Sequence, residues 1–283
     1  MLATLRQRAL GLACLVGLAF LAGCAHWGHE PHATLTATLR QHDFHAVQTQ
    51  PHLHGWLRTA PTFPHQPLPR LRVYIEGDGA AWWAKTLPPA DPTPKTSTAR
   101  QLAVADPYPW VAYMARPCQY LSDPARSTCP VAWWTEARYG EAVKSQMHSL
   151  LDRLLAQTGA QQLELIGHSG GGTLAVLLAA ERKDVACLVT LASPLDLQAW
   201  TAHHRVAPLH LSKDPALLPE GLLTVPAAYF FGERDTVVPL STLGRFASKA
   251  SPAQVVVMPR FGHTHEWTEP RQWLKKAACL ASL

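Results

Sequence analysis

Short apolar runs and longer amphipathic stretches alternate along most of the chain. Leu71-Arg72-Val73-Tyr74-Ile75, Trp110 to Ala115, Leu163 to Ile166, Val185 to Ala192, Val225 to Phe231 and Gln254 to Met258 are strand-length and rich in β-branched or aromatic residues. Turn-forming residues bound them, and each is predicted to be a strand. Glu141 to Gln157 reads differently: Val143, Met147, Leu150, Leu151 and Leu154 recur on one helical face, and Gly159 stops the pattern. Shorter helices are predicted over Ser97 to Val104, Leu174 to Arg182 and Arg271 to Leu280. Phe44 to Arg58 alternates as a leading hairpin would. Strands separated by helices require crossovers, so the predicted fold is α/β, with a mostly parallel, doubly wound sheet. Asp196 to Leu223 lacks a strand and is expected to form a short cap containing Trp200.

The chemistry concentrates where one strand meets one helix. Leu163 to Ile166 runs into Gly167-His168-Ser169-Gly170-Gly171, and helix formers follow. Strand, tight turn and helix in that order are the context in which Gly-x-Ser-x-Gly forms a nucleophile elbow. The serine must sit exposed on a strained turn, so Gly167 and Gly171 are read as the positions where strand and helix approach too closely for a Cβ. The following helix aims its free N–H groups at the place where an oxyanion would form. A phosphate-binding loop is the alternative. No Lys follows the glycines, and the spacing is not Gly-x-Gly-x-x-Gly. Ser169 is therefore the nucleophile candidate, and His168 is expected to pack or bond near the turn.

Composition narrows the setting. The 283 residues, with 47% apolar and 16% charged side chains, suit one globular domain with a full core. Arg6 and Arg8 precede an apolar segment, Ala9 to Ala22, ending in Leu21-Ala22-Gly23-Cys24, which resembles a bacterial lipoprotein signal with its lipobox. That resemblance implies residues 1–23 as a cleaved signal, lipidation of Cys24, residues 24–43 as a His- and Pro-rich tether and 44–283 as the folded domain, with 196–223 as its cap. Ala25 rather than Asp after the cysteine implies an exported protein on the outer membrane facing the periplasm. Removing the signal takes away Arg6 and Arg8 and no acid, so the formal charge falls from +5 to about +3, weak grounds for a nucleic-acid partner. Cys118 and Cys129 flank a short polar loop and are expected to pair in an oxidising compartment. Cys187 and Cys279 are left open: a buried thiol in a strand, or a second bridge. Eight of the 15 histidines precede Pro67, including His52-x-His54, but without Cys or carboxylates at a regular spacing they are read as surface, not as a metal site.

Three loops after successive strands complete the picture. They are the elbow, Gly232-Glu233-Arg234-Asp235-Thr236-Val237-Val238-Pro239 and Phe261-Gly262-His263-Thr264-His265. Their order resembles that of the α/β-hydrolase superfamily over the chain from about Leu71 to the C-terminus. More narrowly, the three glycines after Ser169, Pro194-Leu195-Asp196 with Trp200, and Trp134-Thr135 resemble a group of uncharacterised bacterial α/β-hydrolase lipoproteins. The resemblance implies Ser169 as nucleophile, Asp235 as acid and His263 as base, with His265 and Asp196 as alternatives. It also implies an oxyanion hole from the backbone of Gly170 and of Asp78 or Gly79, in the loop Glu76-Gly77-Asp78-Gly79. Glu76 departs from the pattern, since many hydrolases carry His before the oxyanion glycine. Either it repels anionic substrates or a partner such as Arg116 or Arg138 neutralises it.

The chemistry behind such a set is direct. A serine hydroxyl is a poor nucleophile until a neutral imidazole takes its proton, and a carboxylate fixes that imidazole's tautomer. The expected function is thus a cell-envelope serine hydrolase acting on a small-molecule or lipid-like ester, thioester or amide, with no cofactor. A lipid-anchored binding protein that keeps the scaffold without turnover is the alternative. Trp82 and Trp83 would be core anchors or walls of an acyl pocket.

Overall fold

The computed structural model describes residues 32–47, 51–59, 70–81, 87–250 and 254–280. The signal, Cys24, Trp82 and Trp83 lie outside these, as does the side chain of His265. Eight strands form one sheet: β1 (Phe44–Val47), β2 (Gly55–Thr59), β3 (Arg70–Ile75), β4 (Trp110–Met114), β5 (Gln162–His168), β6 (Val185–Leu191), β7 (Ala227–Gly232) and β8 (Val255–Met258). Their spatial order is β1-β2-β4-β3-β5-β6-β7-β8. The β1–β2 and β2–β4 pairs are antiparallel and all the others parallel. The leading hairpin and every predicted strand are present, with ends differing by a residue or two.

Alternation along the strands fills two cores. Leu71, Val73 and Ile75 face the layer containing α3 (Glu141–Thr158) and α4 (Gly170–Glu181), while Tyr74 faces the layer of α1 (His32–Arg40) and α2 (Thr98–Ala105). Helix α4 is buried from Gly170 to Ala180 because it lies between the sheet and α3. Its residues are accordingly apolar all round, not amphipathic.

Two expectations are corrected. Residues 32–40, assigned to the tether, form α1. Leu35 and Leu39, one helical turn apart, are fully buried, and Thr36 Oγ1 accepts the Trp56 indole N–H at 3.1 Å. The predicted C-terminal helix is instead a chain of short 3₁₀ turns, Pro270–Gln272 and Leu274–Lys276. Neither has a side-chain cap, and the segment is fixed by buried Trp273 and by Cys279 rather than by helical bonding. Both disulfides form: Cys118–Cys129, with Cα atoms 6.0 Å apart, and Cys187–Cys279, at 5.3 Å, which joins β6 to the C-terminus. The cap segment holds α5 (Leu197–His204) and a 3₁₀ turn at Pro215–Leu217.

Candidate active site

The parallel strands β3 to β8 all end on one side, and each expected site residue lies just past such an end. Ser169 follows β5 with φ 53° and ψ −129°, a backbone conformation rare for a residue with a side chain. The packing forces it. A Cβ on Gly167 would run into the backbone of Gly171, and one on Gly171 into the carbonyls of Ile75 and Glu76. Strand and helix can therefore meet this closely only with glycine at both positions, and the hydroxyl between them is pushed outward.

Asp235 and His263 converge on that hydroxyl. His263 Nε2 lies 3.1 Å from Ser169 Oγ, and its Nδ1 lies 2.8 Å from Asp235 Oδ2. The other carboxylate oxygen of Asp235 accepts the amides of Val237 and Val238, both at 2.8 Å. Burial alone would push this carboxyl up; the bonds from His263 and the two amides outweigh it and hold it below the usual range. An ionised carboxylate only accepts, so the imidazole proton sits on Nδ1 and the Nε2 lone pair faces the serine. The alternative acid, Asp196, is occupied elsewhere. It caps α5 through the Ala199 amide and binds the backbone and guanidinium of Arg245.

His168 does more than pack at the turn. Its ring is buried, and Nε2 donates to the carbonyl of His263 at 2.7 Å, tying the base loop to the elbow. Burial, reinforced by the neighbouring His263, lowers its pKa to about 3. It therefore stays neutral and keeps the single proton this bond requires.

The loop after β3 supplies the remaining wall. Gly77 N–H is taken by Glu76 Oε1 at 2.8 Å and Ala80 N–H by Pro92 O at 3.0 Å. The amides of Asp78 and Gly79 between them have no partner among the described residues and line the cleft beside Ser169. Gly79 has φ 63°, and a side chain there would strike Pro92. Glu76 is not matched by Arg116 or Arg138 as expected. Its carboxyl is buried among donors: Gly77 N–H, Tyr113 O–H at 2.6 Å and Ser97 O–H. Burial pushes it up, against the pull of those bonds. The two arginines hold Asp78 instead, at 2.8 Å (Arg116) and 2.9 Å (Arg138), with Tyr139 O–H at 2.7 Å. There burial is overcome by Arg138 and Arg116, and the carboxyl lies below its ordinary value. The swap is one of partners: Glu76 is turned in against Ser97 and Tyr113, while Asp78, two residues on, meets Arg116, Arg138 and Tyr139.

The cleft over Ser169 is open, about 470 Å³, and its opposite wall is Trp200 and Val237. Trp200 Nε1 and His204 Nε2 both donate to the Val237 carbonyl, at 2.8 and 2.7 Å. The cap helix α5 is thereby fastened to the acid loop. The sequence placed Trp200 in the cap but carried no sign of this bond, since it depends on a main-chain carbonyl in a distant loop.

Residues 122–218 match the alpha/beta hydrolase fold family. No curated protein matches the chain in sequence. Among solved structures, an alpha-beta serine hydrolase homologue from Coxiella burnetii superposes with a TM-score of 0.54 at 16% identity, covering 84% of this chain and 97% of its own. A serine hydrolase without a lid from Xanthomonas campestris gives 0.51 at 13% identity, covering 85% and 97%. Est1E from Butyrivibrio proteoclasticus gives 0.52 at 14%, covering 83% and 99%. At these identities the likeness is one of fold: the chain has the α/β-hydrolase fold.

Proposed function

We propose that the protein is a serine hydrolase that cleaves a carboxylic ester through an acyl-enzyme on Ser169. The observation that carries this reading is the continuous Ser169–His263–Asp235 hydrogen-bonded line. In the reaction, Ser169 Oγ bonds to the ester carbonyl carbon as its proton passes to His263 Nε2. The oxygen that gains the electron pair faces the amides of Gly170 and of Asp78 or Gly79, held ready by the bracing of the loop. Collapse breaks the bond to the leaving alcohol, which takes the proton from Nε2. Water, deprotonated by the same imidazole, then releases the acid and restores Ser169. Thioesters and amides would follow the same course, with the ester the least demanding.

The lipobox reading places the enzyme in the cell envelope, anchored through Cys24. A non-catalytic binding protein is favoured less, because Glu76, the residue that suggested it, is sequestered away from the oxyanion amides. Hydrolysis of p-nitrophenyl butyrate by wild type and by Ser169→Ala tests the reading. Turnover lost in the variant supports it, and equal rates refute it. Palmitate-analogue labelling that disappears in Cys24→Ala tests the anchor.

A further inference from the structure

The chain enters the domain at the cleft end of the sheet. In the antiparallel β2–β4 pair Gly55 lies opposite Met114, so the start of β2 is beside the carboxyl ends of β3, β4 and β5. His54 and His52, just before β2, accept the amides of Ala115 and Cys118 beyond β4. His32, the first residue of α1, packs on His54 with ring centroids 4.0 Å apart and the rings tilted by 33°. From Cys24 to His32 the sequence allows only eight peptide steps, at most about 29 Å when fully extended. A domain of this size is roughly 45 Å across. A lipid on Cys24 would therefore hold this end, and not the opposite one, against a bilayer.

The surface agrees by an independent route. Among the described residues, five of the eight exposed large apolar side chains are Leu87, Val131, Leu211, Val237 and Leu240. Leu87, Val131, Val237 and Leu240 lie in segments that follow the carboxyl ends of β3, β4 and β7. Leu211 is brought to the same end by its neighbour Ser212, whose Oγ accepts the Tyr139 amide and donates to the Glu136 carbonyl. At the opposite end the turn before β6 carries Arg182-Lys183-Asp184. Apolar groups gathered at one end, beside a cleft, mark an interaction surface.

We infer that the cleft end is a membrane-docking face, and that the ester it takes is presented by a phospholipid surface rather than free in solution. The chemistry rests on the hydrolase reading above, and the tether on lipidation of Cys24. The exposed leucines and valines enter the headgroup boundary, where the lipid tether keeps them at high effective concentration. The mouth formed by Trp200 and Val237 then opens onto the lipid.

The test uses the lipidated full chain in vesicles of phosphatidylethanolamine and phosphatidylglycerol, compared by backbone hydrogen exchange with the Cys24→Ala protein free in solution. Slower exchange at residues 205–213 and 236–243, with none around 182–184, is the expected result. Unchanged exchange at the cleft end, or slowing at the opposite end, overturns the proposal. A Leu211→Asp, Leu240→Asp double variant adds a second readout. Turnover of a p-nitrophenyl ester dissolved in the vesicles should fall about tenfold with the loss of interfacial contact, while p-nitrophenyl butyrate in solution is cleaved as before. Equal rates on the vesicle ester also overturn it. Failure of the wild type to cleave either ester removes the hydrolase reading and leaves the exchange pattern to decide the docking face.

Discussion

At the scale of single residues, the histidines and carboxylates of the site differ in what their loss should cost. His263→Ala and Asp235→Asn should each lower kcat on a p-nitrophenyl ester by about 10⁴-fold while the proteins stay folded, because the base or its tautomer is lost. Asp196→Asn should lose about tenfold or less and show its effect in thermal unfolding, since Asp196 caps α5 and binds Arg245. The reverse ranking in steady-state kinetics would move the triad to another loop. His168 gives a prediction of a different kind. Burial holds its folded pKa at about 3, below the ordinary histidine value of 6.5. The unfolded chain therefore takes up a proton first as pH falls, so this contribution to stability is complete above about pH 6.5 and is lost toward pH 3. The slope is at most about 1.4 kcal/mol per pH unit for one such group. Urea unfolding between pH 7 and 4 should show a shallower dependence for His168→Asn than for wild type, and an unchanged slope would contradict the buried, neutral ring. The same variant should lower kcat on the order of 10- to 100-fold with little change in KM, as the base shifts relative to Ser169.

At the scale of elements, legibility followed locality. The strands, α3 and the elbow were readable because each is encoded by its own periodicity and by glycines with a local steric purpose. The meeting of Ser169, His263 and Asp235 was readable because each residue follows its own strand. Helix α1 was not: Leu35 and Leu39 are two leucines among three threonines and two alanines, and only packing against β1 and β2 makes them a core stripe. Leu39→Ala should accordingly destabilise the protein by about 2–4 kcal/mol in urea unfolding, as for other buried leucines; a true tether residue would show no effect. The roles of Glu76, Asp78, Arg116 and Arg138 were hidden for a related reason. Which acid meets which base depends on the side from which each leaves the loop, and on Arg116 and Arg138 arriving from segments 38 and 60 residues away. His168 reaching the His263 carbonyl is likewise a contact between residues 95 apart in sequence.

At the scale of the molecule, the sheet puts Ser169, Asp235 and His263 on loops at one end, with the Arg182-Lys183-Asp184 turn at the other. Two disulfides tie this frame together, and they should not contribute equally. Cys118–Cys129 closes a separation of 11 residues and Cys187–Cys279 one of 92. On the chain-entropy account these correspond to roughly 3 and 4.7 kcal/mol. Replacing Cys187 and Cys279 by Ala should therefore lower stability more than replacing Cys118 and Cys129, as measured by denaturant midpoints under non-reducing conditions. The opposite order would show that the short loop has a role in packing beyond closure.

In this reading Ser169 is an activated nucleophile because His263 and Asp235 make it one. Labelling of the folded protein by a fluorophosphonate, read by peptide mass mapping, tests it most directly. A single adduct on Ser169 is expected in the wild type, lost in Ser169→Ala and nearly lost in His263→Ala. Folded wild-type protein that stays unlabelled while a control esterase reacts, or an adduct on another residue, would contradict it.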